Sequence, residues 1–128
     1  MSKIAKPKSR LSKKILVVED EGQTGLTLNL VLSERQFKMD YVNTLLAADE
    51  YLQKNKPSLI ILDNKLPDGF GVDFTSYVKK KYPEIKIIMI SGFGMARDVA
   101  LNNGADNFLE KPFSLEELNQ AIDKAFAE

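Results

Sequence analysis

From Lys14 onward, short apolar runs rich in β-branched residues alternate with longer stretches in which apolar residues recur every three or four positions. The first pattern marks strands and the second marks helices, so the chain predicts repeated strand–helix units. The predicted strands are Ile15–Val18, Phe37–Val42, Leu59–Leu62, Ile87–Ile90 and Asn107–Leu109. The first and third are apolar at every position, which predicts strands covered on both faces and hence a parallel sheet. Five helices are predicted among them. Their stripes are Leu28, Val31 and Leu32; Leu45, Ala48 and Leu52; Phe74, Tyr77 and Val78; Ala96, Val99 and Ala100; and Leu115, Leu118, Ala121, Ile122 and Ala125. The last helix has the sharpest start, because Ser114 followed three residues later by Glu117 forms a capping box. Pro57, Pro83 and Gly104 fall at the expected breaks. Right-handed crossovers then predict an α/β fold: a single doubly wound five-stranded parallel sheet in the order 2-1-3-4-5, with helices on both faces.

Composition narrows the chemistry. A chain of 128 residues with 44% hydrophobic and 28% charged residues is ordinary for one globular domain. It has no Cys and no His, which removes disulfides, thiolate metal sites and the commonest general base. No apolar run approaches the roughly 18 residues of a membrane span, and the first residues lack the apolar core of a secretory signal, so a cytoplasmic protein without a membrane partner is expected. The net charge of zero conceals an asymmetry: residues 1 to 14 hold six basic residues and no acid, leaving 12 basic and 18 acidic residues in the rest. Residues 1–12 accordingly read as a basic, flexible, solvated tail, the alternative being an electrostatic contact with an acidic partner or a phosphate backbone, and 13–128 as the folded domain. The acidic balance of that body argues against direct nucleic-acid binding.

In a doubly wound sheet, ligands bind beyond the carboxyl ends of the strands where the strand order reverses. Glu19, Asp20 and Glu21 follow the first predicted strand and Asp63 follows the third. Carboxylates gathered there repel one another unless a cation neutralises them. An all-oxygen donor set, with no His or Cys, suits magnesium or manganese. Ser91 follows the fourth strand and Lys111 lies just past the fifth. A hydroxyl and an ammonium facing an acidic metal site suit the equatorial oxygens of a phosphoryl group.

Val17-Val18-Glu19-Asp20-Glu21, Leu62-Asp63 with Leu66-Pro67-Asp68-Gly69, Ile88-Met89-Ile90-Ser91-Gly92 and Glu110-Lys111-Pro112-Phe113 resemble the receiver domain of two-component response regulators, a chemotaxis-regulator-like, flavodoxin-like fold. The resemblance implies that Asp63 is the phosphoacceptor and that Glu19, Asp20, Asp63 and the backbone carbonyl of Lys65 hold magnesium. It implies that Ser91 and Lys111 bind the transferred phosphoryl group, that Ser91 and Phe108 form the switch, and that the Lys111–Pro112 bond is cis. It further implies a histidine kinase or histidine phosphotransfer protein as donor, and a downstream protein target at the face of the fourth helix, fifth strand and fifth helix. The role is that of a signalling switch and not of an enzyme. Lys65 is free either to reach over the phosphoryl group or to point to solvent.

Other readings are weaker. A phosphorylation-independent pseudo-receiver would usually lack one of the acids or the lysine, and all are present. An aspartate-nucleophile phosphatase resembles an Asp-x-Asp arrangement, whereas this chain has Asp63-Asn64-Lys65. A nucleotide binder is disfavoured by an acidic first turn without a phosphate-cradling glycine pattern.

Overall fold

The computed structural model describes residues 13–127; the tail expected over residues 1–12 lies outside them. Five strands and five helices alternate: β1 (Lys14–Val18), α1 (Gly22–Glu34), β2 (Lys38–Val42), α2 (Leu45–Lys54), β3 (Leu59–Asp63), α3 (Gly71–Lys81), β4 (Lys86–Ser91), α4 (Ala96–Asn102), β5 (Asn107–Glu110) and α5 (Leu115–Phe126). The strands pair in parallel in the order β2-β1-β3-β4-β5. This is the expected topology, with the reversal between β1 and β3.

Successive strand residues point to opposite faces, which divides the apolar runs between two cores. Leu16, Ile60, Leu62, Ile87 and Met89 face α2, α3 and α4, where they meet Ala48, Leu52, Phe74, Val78 and Ala100. Ile15, Val17, Ile61, Ile88 and Ile90 face α1 and α5, where they meet Leu28, Leu32, Leu118 and Ile122. β2 is an edge strand with no fully buried residue, which explains its mixed composition. The capping box is present: Ser114 Oγ accepts from the Glu117 amide, and the Glu117 carboxylate accepts from the Ser114 amide.

Three stripe residues differ from expectation. Tyr77, Val99 and Leu115 are exposed, because each sits at the margin of its helix's buried arc. Tyr77 spends its exposure on a hydroxyl bond of 2.7 Å to the Asp49 carboxylate. The periodicity also passes over a short antiparallel ribbon, Lys65–Leu66 with Gly69–Phe70, whose strands of two residues each are too brief to show a period.

The end of β3 is fixed by the start of α3. The Gly71 amide donates to Asn64 O at 2.7 Å, and the Val72 amide donates to Asn64 Oδ1 at 3.1 Å. A Cβ on Gly71 would lie 2.4 Å from the Asp63 carbonyl oxygen, so only glycine allows this approach. Gly71→Ala should therefore cost about 2 kcal/mol or more through forced backbone movement, read as a lowered midpoint in urea unfolding at an unchanged slope.

Candidate functional site

Four strand ends converge on one rim of the sheet. Asp63 closes β3 with its side chain only 7% exposed, and across β4 from it Lys111 follows β5. The Lys111 ammonium donates to Asp63 Oδ2 at 3.0 Å and, more weakly, to Glu21 Oε1 at 3.4 Å. The Lys111 amide donates to Ser91 O at 2.8 Å, so the ends of β4 and β5 are tied together behind the ion pair. The Lys111–Pro112 bond is cis. Burial alone would lower the pKa of the ammonium, but the bond to Asp63 and the charges of Asp63 and Glu21 outweigh it and hold the group above its usual value. Lys111 is a fixed cation at any physiological pH.

Asp20, Asp63, Lys65, Ser91 and Lys111 line a single cleft at this rim. The Ser91 side chain is buried, and its Oγ accepts from the Phe93 amide at 3.0 Å, which places the hydroxyl at the root of the β4–α4 loop. Lys65 is exposed at the mouth. Five of the predicted residues thus meet in one place.

Glu19 behaves differently. It is fully buried, its Oε1 accepts from the Glu21 amide at 2.7 Å, and its Oε2 has no hydrogen-bond partner. The room for it comes from Gly25, where a Cβ would stand 2.8 Å from Oε2 and 2.9 Å from the Tyr41 ring. Burial raises the carboxyl's pKa, the Glu21 amide, Tyr41 and Lys111 oppose that, and Asp63 adds to it. The full convergence of carboxylates expected from sequence is therefore partial: among the described residues no three acidic side chains are gathered at metal-holding distance. The physical reason is repulsion, since Asp63 is neutralised by Lys111 while Glu19 takes a backbone amide instead. Glu19 is therefore not among the residues that line the cleft; Asp20 and Asp63 are, and their carboxylates, an all-oxygen donor set without His or Cys, fit a hard divalent cation.

Phe108 is 2% exposed and packs in the core against the α4 side of the sheet, with the Arg97 guanidinium 5.2 Å from its ring centre. Core packing and a cation–π lid therefore hold it inward.

Two contributors escaped the sequence reading. Glu21, in sequence one member of an acidic run, is the second partner of Lys111. Asp68 had no local signal, because its partners lie more than twenty residues earlier. Its carboxylate accepts from the Leu45 and Leu46 amides, both at 2.9 Å, at the N-terminus of α2, next to the Thr44 cap on Ala47. The loop between Asp63 and α3 is thus pinned at its base by Asn64 and at its tip by Asp68.

Comparison with known proteins bears on this geometry directly. Residues 15–123 match the family model of the response regulator receiver domain. The chain belongs to that family. It is 33% identical over 111 residues to the transcriptional regulatory protein BasR of Escherichia coli (strain K12), covering 85% of this chain and 50% of that protein. This receiver therefore spans about half the length of that relative. Among solved structures, the beryllofluoride-activated NtrC4 receiver domain dimer superposes with a TM-score of 0.83 at 35% identity, covering 88% of this chain and 95% of that one. The response regulator TrrA of Thermotoga maritima, in complex with magnesium and beryllofluoride, gives a TM-score of 0.82 at 28% identity, covering 89% and 99%. The receiver is a module of two-component signal transduction, and it shares the fold of TrrA, whose structure holds magnesium with beryllofluoride. Among the described residues no helix is long and apolar enough to cross a membrane.

The Asp68 clamp has a pH signature. The Leu45 and Leu46 amides hold its carboxyl below the usual range. A depressed folded pKa contributes stability that is present above the unfolded value near 3.8 and is lost as the pH falls through the folded one. Asp68→Ala should cost about 1 kcal/mol at pH 7, and the difference from wild type should vanish in urea melts taken at increasingly acid pH.

Proposed function

We propose that the receiver accepts a phosphoryl group on Asp63 and converts it into a change at the face made by α4, β5 and α5. The observation that carries this reading is the bond from Lys111 to Asp63 in a cleft that Ser91 and Asp20 also line. An Asp63 oxygen attacks phosphorus, an aspartyl phosphate forms, and the bond from phosphorus to the donor nitrogen of a phosphohistidine breaks, with that imidazole taking up a proton. The nucleophile is a carboxylate oxygen with the Lys111 ammonium against it, so no proton has to be removed and no general base is needed.

Lys111 serves both states. It balances Asp63 at rest and one phosphoryl oxygen after transfer, while the Ser91 hydroxyl supplies a second contact. Asp20, Asp63, the Lys65 carbonyl and Glu19 would hold magnesium, which when bound offsets the charge of the incoming phosphoryl oxygens. The complex of TrrA with magnesium and beryllofluoride supports this cofactor. The donor is a histidine kinase or histidine phosphotransfer protein. The added charge of about −1.5 to −2 draws Ser91 toward the phosphoryl group. The Ser91–Phe93 bond then breaks, the loop into α4 moves, and Phe108 follows.

Intact-mass analysis after incubation with acetyl phosphate and magnesium tests this. One added phosphoryl group is expected, absent in Asp63→Asn and without magnesium; an adduct that persists in Asp63→Asn would overturn the assignment. Lys111→Ala should keep magnesium binding yet lose the coupling, so that amide shifts on phosphorylation stay near Asp63 and do not reach Phe108. Lys65→Ala should change the phosphoryl decay rate, and an unchanged rate would show that its side chain points away.

A further inference from the structure

In a parallel sheet all strands begin at one edge, and the helices that connect them end there. That edge comprises strand starts, last helical turns and the linkers between them, and it carries eleven basic and four acidic residues. The opposite edge, with strand ends, first helical turns and their linkers, carries ten acidic and three basic residues. The described chain is therefore a strong charge dipole whose two ends nearly cancel.

Helix macrodipoles account for part of the basic edge. Lys54, the run Lys79–Lys81 and Lys124 lie in last turns, where cations are favoured. They do not account for Lys14, Lys38 and Lys86, which open strands, since a sheet has little net dipole. Nor are these charges consumed by ion pairs. At this edge only Arg35, Lys56 and Lys79 have carboxylate partners among the described residues, namely Asp123, Glu84 and Asp106. Lys13, Lys86 and Lys124 have none. Lys13, Lys56 and Lys86 line one groove, Lys86 and Lys124 line the next, and the two grooves share Lys86 and Ala125. Lys13 stands 5.0 Å over the Phe126 ring at the same place, and four more basic residues, Lys3, Lys6, Lys8 and Arg10, precede it in sequence.

We infer that this lysine-lined edge docks on the phosphate backbone of duplex nucleic acid without reading its sequence. Glu84 and Asp106 also line these grooves but are paired with Lys56 and Lys79, which leaves the ammonium groups of Lys13, Lys86 and Lys124 to meet a repeating anion, and release of condensed counterions drives the association. Single strands would need stacking platforms, and membranes would need an inserting apolar face. The one aromatic ring lining these grooves, Phe126, is covered by the Lys13 ammonium and packed against Phe37, and so offers no free platform. The acidic edge is repelled by the same phosphates, so the docked domain turns Asp63 outward, open to its donor. The inference stands on charge placement and not on the phosphoryl chemistry. It departs from the expectation drawn from net charge because that balance averages two edges of opposite sign.

Fluorescence anisotropy of the full chain with a labelled mixed-sequence DNA duplex tests it. Binding is expected at ~50 mM salt and should weaken steeply toward ~200 mM, with a log–log slope of about −0.9 for each phosphate contact. The triple variant Lys13→Glu/Lys86→Glu/Lys124→Glu should lose at least about tenfold in affinity at low salt and flatten the slope. Arg97→Glu, a reversal at the acidic edge, should change affinity less than about twofold, since it lies outside the groove and its screened field is weak there. Circular dichroism reports whether the triple variant folds, and Lys86→Glu alone takes its place if it does not. No binding by the wild type, or equal binding by the groove variants, overturns the inference. Tighter binding to phosphatidylserine vesicles than to the duplex overturns it in favour of a membrane surface.

Discussion

A carboxylate with only 7% of its side chain exposed is costly to keep ionised unless a cation lies against it, and Asp63 meets that cation in Lys111 at 3.0 Å. The two residues come from the ends of β3 and β5, with the whole of β4 between them. Their meeting therefore requires the register of three strands to be correct at once. The Lys111 amide on Ser91 O reports that register, because it joins β5 to β4 at the rim where the side chain reaches past β4 to Asp63. A second anion arriving beside Asp63 exceeds what one ammonium can balance. In the proposed transfer, a divalent cation and the Ser91 hydroxyl would offset that imbalance.

Around this pair the backbone is held at few points. Gly71 presses against the Asp63 carbonyl and Asn64 accepts from two amides at the start of α3, so the acceptor strand cannot slide. Asp68 fastens the far end of the loop to α2. On the other side of Asp63, the loop from Ser91 to α4 is joined to α4 by the Ala96 and Arg97 amides on Phe93 O and Gly94 O, and to the end of β4 by the Phe93 amide on the Ser91 hydroxyl, the same hydroxyl that would turn to a phosphoryl group. Rigid on one flank and lightly latched on the other, the rim favours motion toward α4, where Arg97 covers Phe108.

Much of this was legible in sequence because it rests on period and on position along strands. Continuous apolar runs marked β1 and β3, the 3.6-residue stripes marked the helices, and the acids, Ser91 and Lys111 stood at strand ends where topology brings them together. The structure places Asp63, Lys111, Ser91, Asp20 and Lys65 at one cleft. What sequence did not show depends on neighbours distant along the chain. Asp68 caps a helix that begins twenty-three residues earlier, Glu21 shares Lys111 across ninety positions, and Glu19 turns inward because Gly25 and Tyr41 leave it a space. The segregation of charge between the two edges was hidden for a related reason, since a net sum carries no information about which end of the fold each residue occupies.

The central claim is that Lys111 and Ser91 pass from their resting partners to a phosphoryl group on Asp63. Beryllofluoride added with magnesium, and followed through backbone amide shifts, tests it without turnover. The account predicts large shifts at Ser91, Phe93 and Lys111 that extend through α4 to Phe108. Shifts absent from those amides, in a sample where Asp63 has demonstrably taken the beryllofluoride, would contradict it.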